Sequence, residues 1–343
     1  MARCGWKESG MRVCRWLVRL AAVACLPLTA SAQPSTIFRV GVNLVRAIAT
    51  VKNSNGQLVG DLEKGDFEVY DNGAKQEIRV FEHHTDLPLS VALEIDTSGS
   101  TAKDLKYESD ASSRFGRALL GEGNPLDALS LYTFNWQVRQ ELRFSRDLKA
   151  LDSRLKNLRG EAGTALYDAL VFGARDLESR EGRKAIVVVT DGGNTVSRYT
   201  IDDALEAAHL ADVVIYSVVV VPITNDAGRN IGGEHALQIL AERTGGRIFF
   251  PAAGPELDRV FVEIIRELRT QYLIGFYPTK VPLNKNRFHK LEIRVNRPDL
   301  QVSARNGYYG AVEGSGGGSE DDRVSVTPER PAPPPPAKPQ KKR

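Results

Sequence analysis

The spacing of apolar residues changes along the chain and divides it into three parts. Between residues 89 and 270, short runs of Val, Ile and Leu alternate with segments in which apolar residues recur every three or four positions. The runs are typical of buried strands, and the second spacing is typical of helices that cover a sheet. Strands are predicted at residues 90–95, 128–134, 184–189 and 213–220, with 137–144 as a hairpin partner of the second. Helices are predicted at residues 112–120, 165–177, 201–211, 234–244 and 255–270.

This order of elements predicts an α/β fold with a doubly wound, mostly parallel sheet that carries helices on both faces. The last helix has the most regular pattern, because Leu257, Phe261, Ile264 and Leu268 follow the helical period and Pro255 stands at its start.

Both flanks of this region have β character. On the N-terminal side, residues 38–45 and 47–51 partly alternate, and residues 67–70 and 77–81 enclose the turn sequence Asp71-Asn72-Gly73, which predicts a hairpin. On the C-terminal side, strands are predicted at residues 272–277, 289–295, 301–304 and 307–309. We expect the N-terminal module (33–86) and the C-terminal segment (272–312) to pack into one platform beside the α/β domain (87–271).

The first 32 residues are typical of a secretory leader. Basic residues precede a short apolar core, and Ala30-Ser31-Ala32 fits a cleavage site. A lipoprotein anchored at Cys25 is an alternative, although no Leu stands three positions before this cysteine. The three cysteines, Cys4, Cys14 and Cys25, all lie in this segment, so cleavage leaves a chain without disulfides or sulfur metal ligands.

Cleavage of the leader also changes the charge of the chain. The sequence holds 46 basic and 43 acidic residues, of which the leader takes five and one, so 41 and 42 remain. A nucleic-acid partner is therefore not expected. No other segment is apolar enough to span a membrane, and we expect an extracytoplasmic protein. The Gly/Ser-rich and then Pro-rich residues 313–343 predict a solvated tail, with a basic anchor to an anionic cell surface as the alternative.

Oxygen-bearing side chains follow two of the predicted strands and open one helix. Asp96, Ser98 and Ser100 come directly after strand 90–95, Asp191 ends the Val-rich strand 184–189, and Thr164 precedes helix 165–177. Ligands collect at the carboxyl ends of strands in a doubly wound sheet. If the two strands are neighbours, these oxygens converge and suit a divalent cation such as Mg²⁺, Mn²⁺ or Ca²⁺. Each motif alone also fits a helix cap or a turn.

The set of motifs resembles the metal-ion-dependent adhesion site of von Willebrand factor A domains. The resemblance covers about residues 87–269, and the flanking sequences at 65–69 and 272–277 are similar to those of exported bacterial von Willebrand factor A-related proteins. It implies a ligand set of Asp96, Ser98, Ser100, Thr164 and Asp191 around Mg²⁺ (or Mn²⁺ or Ca²⁺) and a protein partner that offers an acidic residue. The chain departs from the pattern at Thr101, where many relatives carry Met.

Two further acids are ambiguous in the sequence. Glu94 interrupts an apolar strand and is expected either to support the metal ligands from behind or to lie near a strand edge. Asp168 is expected on a helix surface. The five histidines lack ligand spacing, so no zinc site is expected.

The resemblance implies an adhesion-type binding module that captures a partner carboxylate through the cation. An enzyme is not expected, because the chain has no nucleophile elbow, P-loop or dinucleotide loop. A metal-assisted hydrolase is one alternative, with Glu94 and Asp168 as the conceivable bases. An envelope assembly scaffold with a structural metal is another.

Overall fold

The computed structural model describes residues 44–83, 87–101, 104–121, 123–220, 230–251, 255–279, 281 and 287–310. The predicted leader, the tail and most of the strand predicted at 38–45 lie outside these residues. Within the described part of the chain, no helix has both the length and the hydropathy that a membrane span needs.

The described elements alternate much as the apolar pattern predicts. The strands are β1 (Val45–Asn53), β2 (Phe67–Asp71), β3 (Ala74–Gln76), β4 (Ile78–His83), β5 (Leu89–Asp96), β6 (Ala128–Phe134), β7 (Val138–Ser145), β8 (Arg183–Thr190), β9 (Val213–Val219), β10 (Ile248–Phe249), β11 (Tyr272–Phe276), β12 (Phe288–Val295), β13 (Leu300–Ala304) and β14 (Gly307–Tyr309). The helices are α1 (Leu105–Gly121), α2 (Leu148–Leu155), α3 (Leu166–Glu178), α4 (Ile201–Leu210), α5 (Ile231–Thr244) and α6 (Pro255–Arg269).

The central sheet has the order β10-β9-β8-β5-β6-β7, and every neighbouring pair is parallel except β6 and β7. This confirms the predicted α/β fold. The sequence pattern missed the short β10 and α2, and it began α1 seven residues late. The first turn of α1 was missed because it contains polar residues on the side that faces the protein, among them Glu108 and Ser109.

Strand β5 lies at the centre of this sheet, and all eight of its residues are buried. Val91, Leu93 and Ile95 face the layer that contains α1 and α6, whereas Ala92 faces the layer that contains α3 and α4. Burial on both faces explains why the strand reads as a continuous apolar run.

The two flanks form a separate β sandwich, as expected. One four-stranded sheet has the order β13-β1-β11-β4, and the other has the order β14-β12-β2-β3. Their inner faces share one apolar cluster to which the N-terminal flank contributes Val51 and Phe67 and the C-terminal flank contributes Ile274 and Leu291.

The predicted hairpin is wrong in its second strand. Strand β2 turns at Asn72-Gly73 and pairs with the short β3, whereas β4 leaves this sheet and pairs with β11 in the other. Gln76 marks the change of sheet: it is buried, its side-chain amide donates to Thr279 O (3.1 Å), and its Oε1 accepts from Thr279 N (2.9 Å).

Helix α6 is tied to the sandwich by a buried ion pair. Lys52 of β1 reaches Glu267 in the last turn of α6 (Nζ to Oε1, 2.5 Å), and Arg247 approaches the same oxygen at 3.2 Å. The side chains of Lys52 and Glu267 are 14% and 3% exposed, so the pair is largely removed from water. Breaking such a pair is costly, because one charge then stays buried without its partner.

We predict that Lys52→Met lowers the free energy of unfolding by about 2 kcal/mol, less than full loss of a buried pair because Arg247 remains near Glu267. The double variant Lys52→Met/Glu267→Met is expected to recover most of this loss, since an apolar pair replaces the charges. Urea denaturation measures both. Lys75→Met is the control, because Lys75 pairs with Glu68 on the surface and is 61% exposed. Equal destabilisation by Lys52→Met and Lys75→Met would contradict the prediction.

Candidate metal centre

Asp96 ends the central strand and is completely buried. Its Oδ2 accepts from the Thr190 hydroxyl (2.6 Å) and its Oδ1 accepts from Ser98 N (2.8 Å). Thr190 ends the neighbouring strand β8, so this hydrogen bond joins the two strand ends that carry the candidate acids. The pKa of Asp96 is raised to about 6, mainly by burial. The hydrogen bonds from Thr190 and Ser98 oppose this rise, and the nearby Asp191 carboxylate adds to it.

The loop after Asp96 folds back on itself. The Ser98 and Ser100 hydroxyls lie 3.0 Å apart. Thr101 holds the loop, because its hydroxyl donates to Asp96 O (3.0 Å) and Ser98 O (3.1 Å). Ser98 is buried and Ser100 is exposed, so the pair of hydroxyls lies between the sheet and solvent. Many relatives carry Met at the position of Thr101, and a Met cannot make these hydrogen bonds.

Thr164 reaches the same edge of the sheet through the loop before α3. Ala165 N donates to Asn135 O (2.7 Å) and Glu161 N donates to Thr97 O (2.8 Å), so this loop lies across the ends of β5 and β6. Thr164 N donates to the Thr195 hydroxyl (2.9 Å), and its carbonyl accepts from Thr195 N (2.9 Å). The loops before α3 and after β8 are thus joined at Thr164.

Asp191 lies one residue beyond β8 and is partly exposed. Its Oδ1 accepts from Gly193 N (3.0 Å). A methyl group at Gly193 would lie 3.2 Å from this oxygen and 3.7 Å from the Thr164 hydroxyl. The Asp191 carboxylate and the Thr164 hydroxyl therefore both lie close to Gly193. Gly192 has a φ of 88°, a conformation that glycine adopts without strain.

The five oxygen-bearing side chains from the sequence thus meet at one edge of the sheet. In the part of the chain that the structure describes, no three His, Cys, Asp or Glu side chains converge into a metal cluster. A cation at this edge would have two carboxylates and three hydroxyls as candidate ligands, a set that suits a hard ion. Burial is the main cause of the raised pKa of Asp96, and the repulsion by Asp191 that adds to it is what a bound cation would relieve.

Residues 91–261 match the family model of the von Willebrand factor type A domain. The chain carries a von Willebrand factor type A domain. None of the curated proteins matches the sequence.

Solved structures of similar fold are of low identity. They include the von Willebrand factor domain of the type V pili tip protein Mfa5 from Porphyromonas gingivalis (13% identity, 54% of this chain and 96% of that chain, TM-score 0.45). An aerotolerance-related membrane protein from Bacteroides fragilis is 21% identical (52% and 98%, TM-score 0.41). A mutant of the PilB minor pilin from Streptococcus sanguinis is 16% identical (53% and 62%, TM-score 0.42), so the match spans about 62% of that pilin. These likenesses concern the fold alone.

Glu94 is not at a strand edge, because β5 has neighbours on both sides. Its side chain is fully buried under α3, where a methyl group at Gly173 would lie 2.1 Å from Glu94 Oε1. Neither carboxylate oxygen has a hydrogen-bond partner among the described residues. Burial raises the pKa of Glu94 well above its usual value. The glycine on α3 provides the space that this acid occupies.

The expectation for Asp168 is wrong. The residue is buried, and its Oδ1 accepts from Arg198 N (2.8 Å) and Tyr199 N (3.0 Å). It therefore holds the loop that follows Asp191 against the start of α3. An acid in the first turn of a helix is a common capping residue, which is why the sequence pattern did not reveal this longer contact.

Sequence reasoning missed Glu108, in the first turn of α1. It is 1% exposed, and both of its carboxylate oxygens lack a hydrogen-bond partner in the described part of the chain. The pKa of Glu108 is raised to about 8, mainly by burial and in addition by the charges of Asp96, Asp104 and Asp191. The sequence does contain a signal for this residue: Glu108 is an acid on the face of α1 whose other residues pack against the sheet. The type A domain thus holds a buried neutral acid close to its two candidate ligand acids.

We predict that Glu108 makes the free energy of unfolding decrease as the pH rises from about 4.5 to about 8. In this window the folded protein keeps the proton and the unfolded chain has lost it, at about 1.4 kcal/mol per pH unit. In EDTA, Glu108→Gln should therefore lose less stability than the wild type between pH 5.5 and pH 8, measured by urea denaturation. Glu206→Gln, an exposed change on α4, is the control. Identical pH slopes for wild type and Glu108→Gln would refute the prediction.

Proposed function

We propose that the chain is an exported, adhesion-type binding protein whose type A domain captures a partner carboxylate through a divalent cation. Asp96, Ser98, Ser100, Thr164 and Asp191 would hold the cation, which is Mg²⁺ or else Mn²⁺ or Ca²⁺. The observation that supports the proposal is the pairing of β5 with β8, which brings Asp96 and Asp191 to one edge of the sheet, with the Ser98 and Ser100 hydroxyls in the loop after Asp96 and the Thr164 hydroxyl near Asp191.

The chemistry of the ligand set supports a carboxylate partner. Three of the five candidate ligands are neutral hydroxyls. If these bind the cation directly and the two acids hold it through bound water, the cation keeps much of its positive charge for a further anionic oxygen. Ser98 and Ser100 can contribute their oxygens together because their loop is fixed by Thr101. Asp96 is held in place by Thr190, which leaves Asp191 as the partly exposed acid of the pair.

The surface around the site also supports protein binding. Trp136 is 57% exposed and packs beside Gly163, next to Thr164. Its indole Nε1 donates to Glu161 (2.9 Å). Ile231 is 76% exposed at the start of α5, a helix that packs closely on the loop at Gly192. Exposed aromatic and aliphatic side chains of this kind are the residues that protein interfaces bury.

The first test is cation binding by the purified protein. Calorimetry is expected to show uptake of one Mg²⁺, and Asp191→Ala is expected to weaken it at least tenfold, since even residues outside the ligand shell change metal affinity by about 10- to 100-fold. Asp110→Ala removes an exposed acid from α1 and is the control. A folded wild type that takes up no Mg²⁺, Mn²⁺ or Ca²⁺ would disprove the metal site.

The second test is capture of a partner. Immobilised protein is expected to retain an envelope protein in Mg²⁺ and release it in EDTA, because the partner carboxylate binds through the cation. Asp191→Ala should lose capture and Asp110→Ala should keep it. Amidation of the partner's carboxylates should abolish capture.

Other outcomes of the capture experiment would replace the proposal. Capture that persists in EDTA would favour an assembly scaffold with a structural metal. Mg²⁺-dependent hydrolysis of ester or phosphate substrates by the wild type would favour the hydrolase.

A further inference from the structure

A second site candidate lies at the other end of the central sheet. A cavity of about 410 Å³ opens between the amino ends of β8 and β9 and the β sandwich. Strand β8 separates it from the candidate metal centre by roughly 20 Å, at about 3.3 Å per residue. The volume lies in the range of small-molecule sites in proteins.

The cavity has an apolar part and a charged part, and most of its charged side chains are basic. Its charged lining residues are Arg46, Arg180, Arg183, Lys184 and Arg305 together with the acids Glu181 and Asp212. His209 also lines it and adds no charge near neutral pH, because burial lowers its pKa to about 4. The lining therefore has an excess of positive charge.

Arg305 and Asp212 form one fixed wall of the cavity. The Arg305 guanidinium donates to Asp212 Oδ1 and to Arg46 O, and the residue is 8% exposed. Asp212 is therefore paired with Arg305. The contact with Arg46 O ties the end of β13 to β1, and the contact with Asp212 ties it to the turn before β9. These contacts hold this wall of the cavity in place.

Lys184 and Arg46 supply positive charge to the cavity from two different elements. Lys184 lies on β8 and is half-buried, and its Nζ makes one hydrogen bond, to Glu178 O (3.1 Å). Arg46 lies on β1 of the sandwich and is exposed. Burial lowers the pKa of Lys184, the acids Asp212 and Glu178 raise it, and the positive charge of Arg46 lowers it again. Two like charges thus face a shared space.

We propose that this junction cavity binds a small anion with phosphate or carboxylate groups, held between Lys184 of the type A domain and Arg46 of the sandwich. An anionic oxygen between the two cations relieves their repulsion, and the ammonium and guanidinium both have donors for it. Because the two cations come from different parts of the chain, the bound anion also fastens the sandwich to the central sheet.

The experiment uses the full chain in EDTA and three probes: inorganic phosphate, pyrophosphate and citrate. At least one probe is expected to raise the melting temperature and to give a saturable calorimetric isotherm. Lys184→Met and Arg46→Met should each weaken binding on the order of tenfold, which is typical for loss of one charged hydrogen bond. Lys149→Met, an exposed change on α2, and Asp96→Ala, at the metal centre, should leave it unchanged.

The outcomes separate this site from the metal centre. Binding that weakens in Lys184→Met and Arg46→Met and persists in Asp96→Ala supports the proposal, whatever the result of the Mg²⁺ titration. Absence of binding by all three probes overturns it, as does binding that both Met variants retain. Binding that Asp96→Ala abolishes would place the anion elsewhere and also overturns it. Circular dichroism of each variant confirms that the fold is intact.

Discussion

The hydrogen bond from the Thr190 hydroxyl to Asp96 is the contact on which the candidate site depends. It joins the ends of β5 and β8 and gives a buried carboxylate a donor that water cannot supply. Without paired strands Asp96 and Asp191 would not meet, and without the donors from Thr190 and Ser98 the burial of Asp96 would be more costly. The site is therefore a consequence of strand order as much as of its motif.

Two further acids are buried near this edge of the sheet. Glu94 lies in the layer beneath α3 and Glu108 in the first turn of α1, and both are buried without hydrogen-bond partners among the described residues. Burial raises the pKa of each carboxyl, so they add little negative charge to the edge at neutral pH. The charge that a cation meets comes mainly from Asp96 and Asp191.

Two of the contacts between the β sandwich and the type A domain differ in their chemistry. Lys52 and Glu267 make a buried ion pair at the end of α6, and Arg305 connects β1 with the turn before β9. The second contact lies in the lining of the junction cavity, whose charged side chains are more basic than acidic. The sandwich, which is built from both flanks of the type A domain, is thus held to that domain by these contacts. It also borders the junction cavity next to the central sheet.

The sequence by itself determined the elements whose apolar period is local: the buried runs of β5, β6, β8 and β9 and the amphipathic α6. It also provided the five candidate ligand residues, because each motif directly follows or precedes such an element. Only the tertiary structure decided that β4 pairs with β11 rather than with β2 and β3. Strand β11 lies almost two hundred residues further along the chain, so no local sequence pattern indicates this pairing. The burial of Asp168, Glu94 and Glu108 was also decided by the tertiary structure, because it depends on how the helices pack. The cavity at Lys184 and Arg46 likewise forms only in the folded chain, because its two walls are distant in the sequence.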